Sequence, residues 1–164
     1  MKYEIKVIDE KKNIVQITLQ DERWYIKDTD EGKKIYPSST WIASYYPKGK
    51  GFENWLKNKG DEADEIKRLA GEKGSLIHQA IAELLAGQTI NHDQKFIVEG
   101  IDKEITAEEY EAVLSFVQWH KENSPESLLY DLTVFNDKEM YAGTLDWICK
   151  IGDKTYVIDF KTSQ

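Results

Sequence analysis

The sequence predicts an α/β or α+β protein: a mixed central sheet flanked by helices, with an added antiparallel β meander at the N-terminus. Three observations carry that expectation. The first third alternates apolar and polar residues at the strand period of two, two later segments follow the 3.6-residue helical stripe, and the last third returns to strand-like runs joined by a tight connection. With 164 residues the chain is long enough for one real core, so it reads as a single domain over 1–164, divided into a meander at 1–35 and a core at 36–164.

Composition narrows the function classes. Hydrophobic residues at 40% and aromatics at 12% exclude intrinsic disorder. The formal charge of −8 excludes nucleic-acid binding by bulk charge, so any such function needs a local basic groove or a metal ion. A single cysteine, Cys149, excludes an intrachain disulfide framework and a cysteine-based zinc cluster. No apolar run reaches the roughly 18–20 residues of a membrane span, and Met1-Lys2-Tyr3-Glu4 opens a polar alternation rather than a signal peptide. The expectation is a soluble, cytoplasmic protein with no membrane partner.

Each element has a local reason. Tyr3 to Ile8 alternates, Asp9 to Asn13 is a polar turn, Ile14 to Leu19 alternates again, and Trp24-Tyr25-Ile26 adds a third short strand before the polar loop Asp28 to Lys34. Tyr36-Pro37-Ser38-Ser39-Thr40 is a helix-start signal, because hydroxyl side chains cap free backbone N–H groups. A short helix over Trp41 to Tyr46 then stops at Pro47, and Phe52, Trp55 and Leu56 fall at helical spacing in a second segment ending near Gly60. Core packing is the ordinary reading of these aromatics and base stacking the rarer one.

Asp61 to Ala86 is the longest periodic segment, with Ala63, Ile66, Leu69, Ala70, Ile77, Ile81, Leu84 and Leu85 on its stripe and Gly87 as its stop. Gly71 and Gly74 inside it each cost about 1 kcal/mol relative to alanine, which points to a break or a close approach by another backbone. A third helix runs from Thr106 to about Glu122, opened by the capping-box pattern Thr106-Ala107-Glu108-Glu109 and buried through Tyr110, Val113, Leu114 and Val117. Leu128 to Phe135, Tyr141 to Ile151 and Thr155 to Lys161 are strands, the last two an antiparallel hairpin across Gly152-Asp153-Lys154.

Chemistry concentrates near the end of the chain. In a strand over Val157 to Lys161, Asp159 and Lys161 share one face, and Val157-Ile158 with Phe160 mark the strand as buried and central. Asp146 on the preceding strand could lie beside Asp159. Two neighbouring carboxylates repel unless a cation neutralises them, and oxygen ligands favour hard ions such as Mg²⁺ or Mn²⁺. An Asp–Lys salt bridge explains the same triplet equally well. His78, beside the apolar stripe of its helix, reads on its own as a packed histidine, and His92 and His120 as surface or structural residues.

Gly143-Thr144-Leu145-Asp146 followed by Val157-Ile158-Asp159-Phe160-Lys161-Thr162 resembles the core of the PD-(D/E)XK nuclease superfamily, and most of all its RecB-like exonuclease branch of phage and bacterial recombination and repair proteins. Upstream, Tyr36 to Thr40 resembles that branch's first conserved segment and Gly74-Ser75-Leu76-Ile77-His78 its G-x-x-x-H helix, so the ordered set spans most of the chain. The resemblance implies a restriction-endonuclease-like fold and Mg²⁺- or Mn²⁺-dependent hydrolysis of DNA phosphodiester bonds from an end, in a bacterial cell or phage-infected host. It implies Asp146, Asp159 and Lys161 as catalytic residues and His78, Asp146, Asp159 and the Phe160 carbonyl as metal ligands. Asp131, or else Glu126, stands where the family has a further acid, and Lys48 and Lys50 are candidates for phosphate contact. Family members continue past the lysine into a helix bearing a Gln and a Tyr, which Gln164 is too near Lys161 to supply. The expectation is therefore a C-terminally truncated core, completed by a second chain or a homo-oligomer. The alternative reading is a non-catalytic module of the same fold that binds DNA or protein.

Overall fold

The computed structural model describes residues 3–19, 22–98 and 100–162; Met1, Lys2 and Gln164 lie outside them. In chain order the elements are β1 (Glu4–Asp9), β2 (Ile14–Thr18), β3 (Arg23–Thr29), β4 (Gly32–Pro37), α1 (Ser39–Ser44), α2 (Lys50–Lys59), α3 (Glu62–Leu85), β5 (Lys95–Val98), β6 (Ile101–Glu104), α4 (Ala107–Asn123), β7 (Glu126–Asn136), β8 (Tyr141–Ile151) and β9 (Lys154–Ile158). This is a mixed α+β architecture of four helices and antiparallel sheets among the described residues.

The strands form three sheets, β1-β2-β3-β4, β5-β6 and β7-β8-β9, in place of the one mixed sheet expected. Connection length explains the antiparallel pairing within each sheet. Neighbouring strands in each sheet are joined by short turns, which permit antiparallel pairing, whereas parallel neighbours need a crossover of a dozen or more residues. A single bridge between Ser38 and Ala142 runs parallel. The expected polar loop Asp28 to Lys34 is instead a hairpin: Thr29 pairs with Gly32, and Gly32 at φ +111° takes a conformation other residues resist. Lys33 and Lys34 on β4 had disguised it as loop. The β5–β6 hairpin is a further addition, short, with Phe96 and Val98 turned inward and Ile97 and Ile101 left exposed.

Two compact units are present, Met1–Gly49 with Thr133–Thr144 and Lys50–Leu132 with Leu145–Gln164. In the first, Tyr25, Tyr36 and Ala142 form the buried cluster, with Phe135 packed on it. The Tyr36 hydroxyl donates to Asp137, which also accepts from Lys27 at 3.2 Å. Burial and then that carboxylate push the Tyr36 phenol up to about 12, while the same hydrogen bond and the Lys27 charge hold Asp137 below the usual carboxylate range.

In the second unit, α3 buries Ala63, Glu72, Leu76, Ile77, Ala80 and Ile81. Leu69, expected on the stripe, stays half exposed. The helix runs unbroken through Gly71 and Gly74. At Gly71 a side chain would meet open space, and at Gly74 it would meet the Thr162 hydroxyl at an ordinary 3.5 Å. Buried Glu72 is held charged between Lys103 and Arg68, which lower its pKa against the opposing effect of burial. The Thr106–Glu109 capping box forms as expected and starts α4. Cys149 is fully buried, and burial pushes its thiol up.

β9 departs most from expectation. It ends at Ile158, three residues short of Lys161, and is the outer strand of its sheet rather than a buried central one, with Val157 67% exposed. An apolar run marks a strand but does not decide whether it is central or at an edge; the sheet's pairing does.

Candidate functional site

Within the second unit, α3, β8 and the segment following β9 bring three residues together. His78 comes from α3, between buried Ile77 and Ile81. Asp146 comes from β8, next to fully buried Trp147. Phe160 lies two residues beyond the end of β9. The Phe160 backbone N–H donates to Asp146 Oδ2 at 2.7 Å, and the Phe160 carbonyl O lies 2.9 Å from His78 Nε2. His78 Nδ1 closes the ring at 3.4 Å from Asp146 Oδ1, with the two side chains 35% and 18% exposed. Both imidazole nitrogens therefore face oxygen acceptors, one of them a carboxylate.

An aromatic shell fixes this geometry. The Phe160 ring packs edge-on to Phe116 at 5.5 Å and stacks on Trp147 at 6.2 Å, and His78 meets its edge at 5.9 Å. Trp147 is itself anchored by its indole N–H to Ser127 Oγ at 2.9 Å and stacked by His120 at 6.0 Å. The Phe160 side chain thus sets where its own backbone N–H and carbonyl lie. Sequence reasoning missed this shell. Phe116 was readable, since it follows Val113 by three residues on the buried stripe of α4; the partnership of Trp147 with Phe160 had no sequence signal.

The remaining expected site residues lie apart from that ring. Asp159 and Lys161 point the same way and pair with each other at 2.6 Å, their side chains 63% and 78% exposed. Asp131 is exposed on β7 at φ +46°, and Glu126, Lys48 and Lys50 are exposed. Among the described residues, no three His, Cys, Asp or Glu side chains gather closely enough to hold a metal ion. The donors that do converge are two side chains, His78 and Asp146, and one backbone carbonyl. The carboxylate and the carbonyl meet opposite nitrogens of the imidazole, so in this arrangement one imidazole nitrogen shares its place with only one of the two oxygens, a partial donor set that Mn²⁺ accepts more readily than Mg²⁺.

No family model, curated protein or solved structure matches the chain.

Proposed function

We propose that this protein is a metal-dependent deoxyribonuclease that hydrolyses DNA phosphodiester bonds from an end, in recombination, repair or phage DNA processing. One observation carries the reading: the Phe160 backbone is clasped between Asp146 and His78, so a carboxylate, an imidazole and a carbonyl share one half-buried place. His78, Asp146 and the Phe160 carbonyl would hold the ion once the imidazole turns so that one nitrogen meets both oxygens. When bound, Mn²⁺ or Mg²⁺ supplies charge neutralisation at the phosphate and lowers the pKa of a water nucleophile. Asp146 also orients the Phe160 peptide, and α3 holds the imidazole against it. Asp159 and Lys161 sit one residue to either side of Phe160, exposed to a ligand. Lys161 there offers an ammonium to the negative charge that develops on a phosphate under attack, and Asp159, its counter-ion at rest, would add an oxygen ligand to the bound ion.

The test combines Mn²⁺ calorimetry with cleavage of end-labelled DNA. Wild type is expected to bind Mn²⁺ near micromolar and to shorten the DNA. Asp159→Ala and Lys161→Ala are expected to keep the fold and lose cleavage, and His78→Ala to lose Mn²⁺ affinity. Wild-type-like cleavage by Asp159→Ala overturns the assignment.

The open outer strand β9 favours a second reading. With Tyr156 and Val157 exposed on an edge strand, the domain could serve as a non-catalytic module that pairs with another chain or a second copy of itself. That reading predicts no Mn²⁺ affinity and self-association or mixed assembly in solution.

A further inference from the structure

We infer that Tyr45 and Tyr46 form a stacking platform for the unpaired bases of single-stranded DNA. The choice of DNA as the polyanion rests on the proposed function; the preference for a single strand rests on α1 itself. That helix buries none of its residues, and at its end two consecutive tyrosines are each 74% exposed. A six-residue helix is too short to stand alone. It is held by the Ser38 cap on the Trp41 N–H at 3.0 Å and by Trp41 packed on Trp24 at 4.8 Å, with Tyr45 edge-on to Trp41 at 5.7 Å. Tyr45 is therefore held at one edge, and both tyrosine rings stay open to solvent.

Charge names the occupant. Between Glu31 and Glu53 the chain carries no carboxylate and four lysines, Lys33, Lys34, Lys48 and Lys50, of which Lys34 pairs with Glu31 at 3.0 Å, in a protein that otherwise has an excess of acid. Lys48 follows Tyr46 by two residues, in the same compact unit. The Glu22 carboxylate is spent on the Trp24 indole N–H at 2.8 Å, and open aromatic faces two residues from an ammonium fit a strand whose bases are unstacked; a duplex offers its π-faces only at its ends.

The test is fluorescence anisotropy of labelled oligo-dT on the full chain, in EDTA so that nothing is cleaved. Tyr45→Ala and Tyr46→Ala are each expected to weaken binding about tenfold or more, Tyr46→Trp to preserve it, and Lys48→Ala to flatten the salt dependence. Circular dichroism of each variant guards against unfolding. Binding of hairpin duplex as tightly as oligo-dT, or unchanged affinity in the double Tyr45→Ala/Tyr46→Ala variant, overturns the inference. Because no metal is present, failure here leaves Mn²⁺ affinity and cleavage to be judged separately, and loss of cleavage in Asp159→Ala does not bear on it.

Discussion

Asp146 and Asp159 belong to the same motif set and end in opposite circumstances. Asp146 is mostly enclosed, accepts the Phe160 N–H and faces an imidazole; Asp159 is mostly exposed and answers only to Lys161. The difference does not lie in the carboxylates. It lies in Trp147 and Phe116, which pull the Phe160 ring inward and leave its two neighbours facing out. A buried aromatic between two charged residues sorts them from the backbone it anchors. Asp146 then has a structural share in the fold, whereas Asp159 is free for a ligand.

Substitutions at four positions test that contrast. Trp147→Ala removes a fully buried ring and is expected to cost about 3–5 kcal/mol, seen as a large fall in the urea midpoint, with loss of any Mn²⁺ affinity as Phe160 loosens. Asp146→Ala leaves the Phe160 N–H without its acceptor and is expected to cost about 1–3 kcal/mol. Asp146→Asn keeps a carbonyl oxygen for that N–H, so it should recover much of the stability while still lacking Mn²⁺ affinity in calorimetry. If Asn behaves like Ala in denaturation, the hydrogen bond is not what Asp146 contributes.

Gly71→Ala is expected to raise stability by about 0.5–1 kcal/mol, since alanine favours the helix and meets open space there. An unchanged or lowered midpoint would show that helix propensity does not limit stability at this point of α3. The smallest effect is expected from Asp159→Ala, which removes an exposed ion pair and should shift stability by less than about 0.5 kcal/mol. A larger loss in the same urea titration would place Asp159 in the structural class with Asp146 and erase the contrast.

Much of the secondary structure was legible because its causes are local. Ser38 caps α1, the Thr106–Glu109 box starts α4, and Tyr141 to Ile151 forms β8 with the expected bounds. Periodicity also placed His78 beside the buried stripe of a long helix. The hairpins β3–β4 and β5–β6 were harder to read, because lysines on a strand look like loop and four-residue strands give too little alternation. Leu69 against Leu76 and Ala80 shows a related limit: several stripes can be drawn on a helix containing glycines, and only its packing partners select one.

The sequence by itself determined the helix starts, the β8–β9 hairpin and the order of the chemistry-bearing residues. Each depends on neighbours a few positions away, where capping, turn geometry and strand alternation act. Tertiary structure alone decided that β9 is an outer strand ending at Ile158, that His78 meets the Phe160 carbonyl 82 positions away in the chain, and that Asp146 and not Asp159 is enclosed. Those outcomes depend on which apolar rings bury one another, and burial is a property of the assembled core.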